Sequence, residues 1–171
     1  MTHPDDYVFQ INPQHHSLSI HRSFDAPASW LWKAWTQPSI LEQWFGPMPF
    51  KVQTLESNFS AGGEWIYQLD APEYGPQWGR TAYHLIEPER RFTASDCFLG
   101  EDLQPLEGMP VSQWEIQFED LGSKSAFDLE TKYQSAEDLA IMIQGGYRDG
   151  FESVMGNLDR LIQTNPALFQ R

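Results

Sequence analysis

The chain has 171 residues, 40% of them hydrophobic and 14% aromatic, enough to bury the core of one domain. Its formal charge is −13, from 24 acidic and 11 basic residues, a balance that repels phosphate backbones and argues against a nucleic-acid partner. The one cysteine, Cys97, excludes an intramolecular disulfide and a cysteine zinc cluster, and no stretch nears the roughly 18 apolar residues of a membrane span.

Residues 1–16, MTHPDDYVFQINPQHH, read as a flexible polar leader. They lack the charged start and apolar run of a secretory signal, so a cytoplasmic location is expected. His3, His15 and His16 share no fixed spacing with a carboxylate or cysteine, so no metal is expected there. From Ser17 the chain alternates, with Leu18, Ile20, Arg22 and Phe24 on one face, which predicts a strand. Asp25 as a cap and Pro27 in the first turn predict the start of a helix. At 100° per residue Ala28, Leu31, Trp32 and Trp35 share an inward arc, and Trp30 points the other way. Pro38 ends this helix and opens a second, on which Ile40, Leu41, Trp44 and Phe45 face inward. GPMP at 46–49 stops it.

Strand signals then dominate from Phe50 to Tyr133. KVQTLES is followed by a turn at 61–63 and by EWIYQL. A loop rich in proline and glycine, DAPEYGPQWG, leads to RTAYHLIE; Pro88–Glu89 turns the chain into RRFTASDCF. After a longer loop, SQWEIQFED sets Trp114, Ile116 and Phe118 on one face. SAFDLETKY sets Phe127, Leu129, Thr131 and Tyr133 inward. Successive hairpins of this kind make an antiparallel meander. Ser135 and Asp138 resemble a capping box, and Gly145–Gly146 interrupts the helix they open. The strongest amphipathic signal follows: Tyr147, Phe151, Val154, Met155, Leu158, Leu161 and Ile162 fall within about 120° of arc. Asn165–Pro166 ends it.

The predicted class is α+β. A curved antiparallel sheet of six or seven strands must bury its inner face, and the long C-terminal helix is the available partner. Two short helices after the first strand cover the remainder only in part, so a cavity is expected.

The motifs IHRSFDAP at 20–27, LWKAWTQP at 31–38, WFGP at 44–47 and GGEW at 62–65 occur in order along the chain. YHLIEPER at 83–90, FEDLG at 118–122 and GGYRDGFESVMGNLDRL at 145–161 complete the series. The series resembles the domain related to the activator of the ninety-kilodalton heat-shock chaperone's ATPase, within the START-like, or SRPBCC, superfamily. The resemblance implies the helix-grip fold over residues 17–163, with residues 164–171 as a C-terminal tail. It departs at LGSKSAF, where the family usually has a double glycine and threonine, and at Glu87–Pro88, which lacks the common double proline. The co-chaperone's separate chaperone-binding domain has no counterpart at this length, which argues against a chaperone partner.

Neither a phosphate-binding glycine loop nor a nucleophile elbow occurs. His84 and Glu87 sit three apart on a strand and point to opposite faces, so no metal is expected. Cys97 reads as a buried inert thiol. An inward Arg22 needs a carboxylate or an anionic ligand, and structural pairing is the reading taken. The expected role is a non-enzymatic binding protein, without cofactor, holding a small hydrophobic or aromatic molecule between sheet and C-terminal helix. Its expected lining is Trp44, Tyr67, Tyr83, Trp114, Phe127, Tyr147, Phe151 and Met155, with Trp44 as a lid over the mouth. Inward hydroxyls of Tyr67, Tyr83 and Tyr147 would instead serve a cyclase or aromatase-like enzyme in the same cavity. A chaperone-interacting module would present Trp30 and Trp78 on an exposed apolar patch. A homodimer is left open, and no membrane contact is expected.

Overall fold

Alternating side chains build the sheet. The computed structural model describes residues 6–171. The chain runs through β1 (Tyr7–Asn12), β2 (Ser17–Phe24), α1 (Ala28–Thr36), α2 (Pro38–Trp44), β3 (Lys51–Ser57), β4 (Glu64–Asp70) and β5 (Gln77–Glu87). It continues through β6 (Arg91–Leu99), β7 (Ser112–Asp120), β8 (Ser125–Tyr133), α3 (Ala136–Gln144) and α4 (Tyr147–Thr164). The eight strands form one sheet in the order β1-β2-β8-β7-β6-β5-β4-β3. Every adjacent pair is antiparallel.

From β3 to β8 each strand pairs with the next in sequence. The exception is β2, which pairs with β8, while β3 lies at the far edge. The chain must therefore cross the sheet between β2 and β3, and α1 with α2 makes that crossing. Pro27 occupies the N-cap of α1 without a side-chain hydrogen bond. The capping role expected of Asp25 is not taken: its carboxylate pairs with Lys124 at 3.2 Å instead. Leu31, Ala34 and Trp35 of α1 and Ile40, Leu41 and Trp44 of α2 are buried. Ser135 does cap α3, accepting from the Asp138 N–H at 3.1 Å. Gly146, at φ 89°, supplies the left-handed residue that separates α3 from α4.

The amphipathic face of α4 buries Val154, Met155, Leu158 and Ile162. Asn157 of this helix donates to the Gly46 carbonyl at 3.0 Å and to the Trp44 carbonyl at 3.3 Å, satisfying carbonyls left open at the end of α2. Arg22, 5% exposed on β2, donates to the Asp159 carboxylate on α4 and lies 4.9 Å over the Phe24 ring. A buried guanidinium thus has both a counter-charge and an aromatic face.

Two expectations at the termini are corrected. Residues 7–12 are not a loose leader but an edge strand on β2, which brings the count to eight. Phe9 packs its ring 6.3 Å from Tyr147, and Arg148 sits over Phe9. His15 and His16 belong to the turn joining β1 to β2, and His3 lies outside the described residues. At the other end Phe169 is 1% exposed, stacks on Trp30 at 5.3 Å, and accepts at its carbonyl from Lys33. No helix among the described residues is long and apolar enough to cross a membrane.

Candidate functional site

A cavity of about 270 Å³ lies between the concave face of the sheet and the N-terminal half of α4. It follows from the register. On β8 the inward residues Leu129, Thr131 and Tyr133 form one wall, and Trp114 of β7 stands directly opposite Thr131. Asp96 of β6 faces Thr81 on one neighbouring strand and Ser112 on the other. Tyr67 of β4 closes the far side; Gly79 opposite it on β5 is needed there, because a Cβ would meet the Tyr67 ring at 2.5 Å. Trp35 and Trp44 come from α1 and α2, and Tyr147, Phe151 and Val154 from α4.

The aromatic rings are in mutual contact. Trp35 meets Trp44 at 5.1 Å, Phe127 at 5.3 Å and Trp114 at 6.2 Å. Such ring pairs hold each other in place beyond their burial alone. The Trp44 indole N–H donates to the Ala34 carbonyl at 3.0 Å. The indole N–H groups of Trp35 and Trp114 are buried with no hydrogen-bond partner among the described residues. A buried donor without a partner is uncommon in folded proteins.

One carboxyl stands in this apolar wall. Asp96 accepts from the Thr81 hydroxyl at 2.7 Å. The Trp114 indole N–H faces it closely enough to favour its charged form, yet lies outside normal hydrogen-bond geometry. Burial outweighs both and pushes the Asp96 pKa up from 3.8 to about 6. Burial also raises Tyr67, Tyr83, Tyr133 and Tyr147, with the nearby Asp96 charge adding to the effect on each, so these phenols stay protonated at neutral pH. No lysine, arginine or histidine lines the cavity among the described residues.

Of the lining residues expected from the sequence, Trp44, Tyr67, Trp114, Tyr147 and Phe151 stand around the cavity. Tyr83, Phe127 and Met155 are buried outside its lining. Tyr83 packs on Phe59 and Phe92, and Phe127 lies behind Trp35. Trp44 is no lid: at 1% exposure, with its N–H bonded to Ala34, it is a fixed inner wall. Cys97 is half-buried and also borders the cavity, rather than being sealed in the core. The two tryptophans expected on an exposed patch are both engaged, Trp30 by Phe169 and Trp78 by a 3.0 Å bond to Gln68.

Among the lining residues absent from the expected set, such as Phe45, Leu129, Thr131, Tyr133 and Val154, Asp96 and Trp35 bear most on the chemistry of the site. Period-two alternation from Phe92 and Ala94 places Asp96 on the inner face, and that signal was available. Trp35 reads as a plug between α1 and the sheet; its second role, with an edge on open space, depends on how far α4 stands from β7 and β8.

The fold recurs in solved structures. The solution structure of a protein from Arthrobacter aurescens superposes with a TM-score of 0.86 at 22% identity, covering 91% of both chains. A crystal structure of a Mycobacterium smegmatis protein gives 0.85 at 23% identity, over 92% of this chain and 97% of that one. An AHSA1 protein from Silicibacter pomeroyi gives 0.69 at 16% identity, over 86% and 97%. No curated protein sequence matches the chain. Residues 25–163, which span α1 to the end of the amphipathic face of α4 and so include every wall of the cavity, match one sequence family. The chain therefore belongs to the family described as Activator of Hsp90 ATPase homolog 1-like protein.

Proposed function

We propose that the protein binds a small hydrophobic or aromatic molecule in the cavity between the sheet and α4, without transforming it. The observation that carries this reading is an apolar cavity of about 270 Å³ whose wall holds the Asp96 carboxyl and the indole N–H of Trp35, a donor with no partner among the described residues. A solid core would leave no such space. A few polar groups converging in an apolar recess are the usual form of a small-molecule site. The size favours a one- or two-ring molecule: an apolar cavity of about 150 Å³ already takes a benzene, and drug-sized sites begin near 300 Å³.

A second reading, an enzyme of cyclase or aromatase type in the same cavity, draws on Asp96, a carboxyl with a pKa of about 6 beside the Tyr67 and Tyr147 phenols. It requires Asp96→Asn to abolish turnover of a bound molecule while the fold survives. The binding reading is tested by thermal shift and native mass spectrometry against one- and two-ring aromatics, flavonoids, polyketides and fatty acids. It expects at least one aromatic class to raise the melting temperature and to be retained at one copy per chain. Absence of a shift and of retained mass for every class would refute it.

A further inference from the structure

Asp96 raises a question that an apolar ligand alone leaves unanswered. Its carboxyl borders the cavity, and no counter-ion is provided for it. The Thr81 hydroxyl donates to it, the Trp114 N–H faces it, and no cationic side chain lines the site among the described residues. A carboxylate in such surroundings is costly unless an opposite charge comes to it. The ordinary protein solution is an adjacent lysine or arginine, as Arg22 and Asp159 show elsewhere in this chain. Here the neighbouring space is walled by aromatic rings instead.

Deepening the binding reading above, on which it rests, we propose that the cavity takes an organic cation: an amine whose ammonium group sits beside Asp96 and whose apolar body lies among the rings of Trp35, Trp44, Tyr67, Trp114 and Phe151. Three independent features agree. The ammonium supplies the missing counter-charge. Aromatic faces attract cations, most strongly those of tryptophan, and two such rings meet 6.2 Å apart on this wall. The net charge of −13 concentrates cations near the protein and repels anions. The same arrangement rejects carboxylates, because an anion would meet Asp96 in an apolar recess with nothing to neutralise either charge.

The groups around Asp96 set its pH response. They are Tyr67 on β4, Thr81 and Tyr83 on β5, Cys97 next to it on β6, Trp114 on β7, Thr131 and Tyr133 on β8, and Tyr147 on α4. The tyrosines remain neutral between pH 5 and 7.5, so Asp96 is the carboxyl of this wall that titrates there. Amine binding should therefore weaken as pH falls through about 6.

The test uses the full chain and three probes of one shape, 2-phenylethylammonium, 2-phenylethanol and 3-phenylpropanoate, followed by calorimetric titration. At pH 7.5 the ammonium is expected to bind at least about tenfold more tightly than the alcohol, and the carboxylate more weakly than either. At pH 5 that preference shrinks. Asp96→Asn, verified as folded by its near-ultraviolet circular dichroism, is expected to bind the ammonium and the alcohol alike. If the alcohol binds and the ammonium binds no better, the proposal is overturned while the apolar-ligand reading stands. If no probe binds and the aromatic screen is also empty, both fall. An ammonium preference that survives in Asp96→Asn also overturns it, since the charge would then be read elsewhere.

Discussion

Replacing Asp96 by asparagine should stabilise the protein at neutral pH. The folded carboxyl holds its proton more tightly than the unfolded one, with a pKa raised from 3.8 to about 6 by burial. Below about pH 3 both states are protonated and the carboxyl carries no penalty. As pH rises from 4 to 6 the unfolded chain loses its proton first, and the folded state falls behind. Above pH 6 the penalty is complete. At about 1.4 kcal/mol per pH unit it reaches about 3 kcal/mol, an upper bound because water entering the cavity would reduce it. Asparagine keeps the shape and an oxygen to accept from Thr81, and it has no charge to bury. Urea unfolding of both proteins, followed by tryptophan fluorescence from pH 4 to 8, measures the difference. The expected curve starts at about 0.5 kcal/mol at pH 4 and climbs to about 2–3 kcal/mol in favour of the variant by pH 7.5. A difference that stays flat with pH, or a variant less stable at pH 7.5, would refute the account of a carboxyl desolvated without a counter-ion.

Other substitutions probe the frame around the cavity. Asp159→Ala leaves Arg22 buried without its partner and should cost about 2–4 kcal/mol in chemical denaturation, less than a sealed pair because Asp159 is half-exposed. Trp44→Ala removes a ring 1% exposed together with its bond to Ala34, and should cost about 3–5 kcal/mol; the loss appears in the unfolding curve before any effect on binding can be read. Gly156→Ala should raise the melting temperature, gaining about 1 kcal/mol, since the helical backbone accepts alanine and its Cβ meets nothing within 4 Å.

Much of this frame is legible in the sequence because it rests on local periodicity. The inward face of β8, Phe127, Leu129, Thr131 and Tyr133, is the face that alternation predicts, and α4 buries the core of its amphipathic arc. β1 escapes for a physical reason. As an edge strand it exposes Val8 and Ile11 and covers only one side, so its pattern is too weak to separate from a polar leader. The N-cap of α1 is misread because the helix begins at Ala28 with Pro27 at the cap, which leaves Asp25 two residues outside it. The cavity lies beyond local patterns altogether. Alternation puts Tyr67, Tyr83, Trp114 and Phe127 on the inner face alike, but which of them touch empty space depends on the gap between sheet and α4, a tertiary quantity. Asp96 is the opposite case: its inward direction could be read directly from Phe92 and Ala94, and an inward carboxyl among aromatics is itself a functional signal.

A ligand bound as proposed lies against Trp35, Trp114 and Asp96 together. The seven tryptophans each carry an indole N–H that reports separately in a nitrogen–proton correlation spectrum, so the protein can be titrated with 2-phenylethylammonium and watched at each ring. The Trp35 and Trp114 signals are expected to move together and saturate, while Trp30, stacked on Phe169, and Trp78, bonded to Gln68, stay in place. Movement confined to Trp30 and Trp78, or no movement at Trp35 and Trp114 at saturating probe, would contradict that placement.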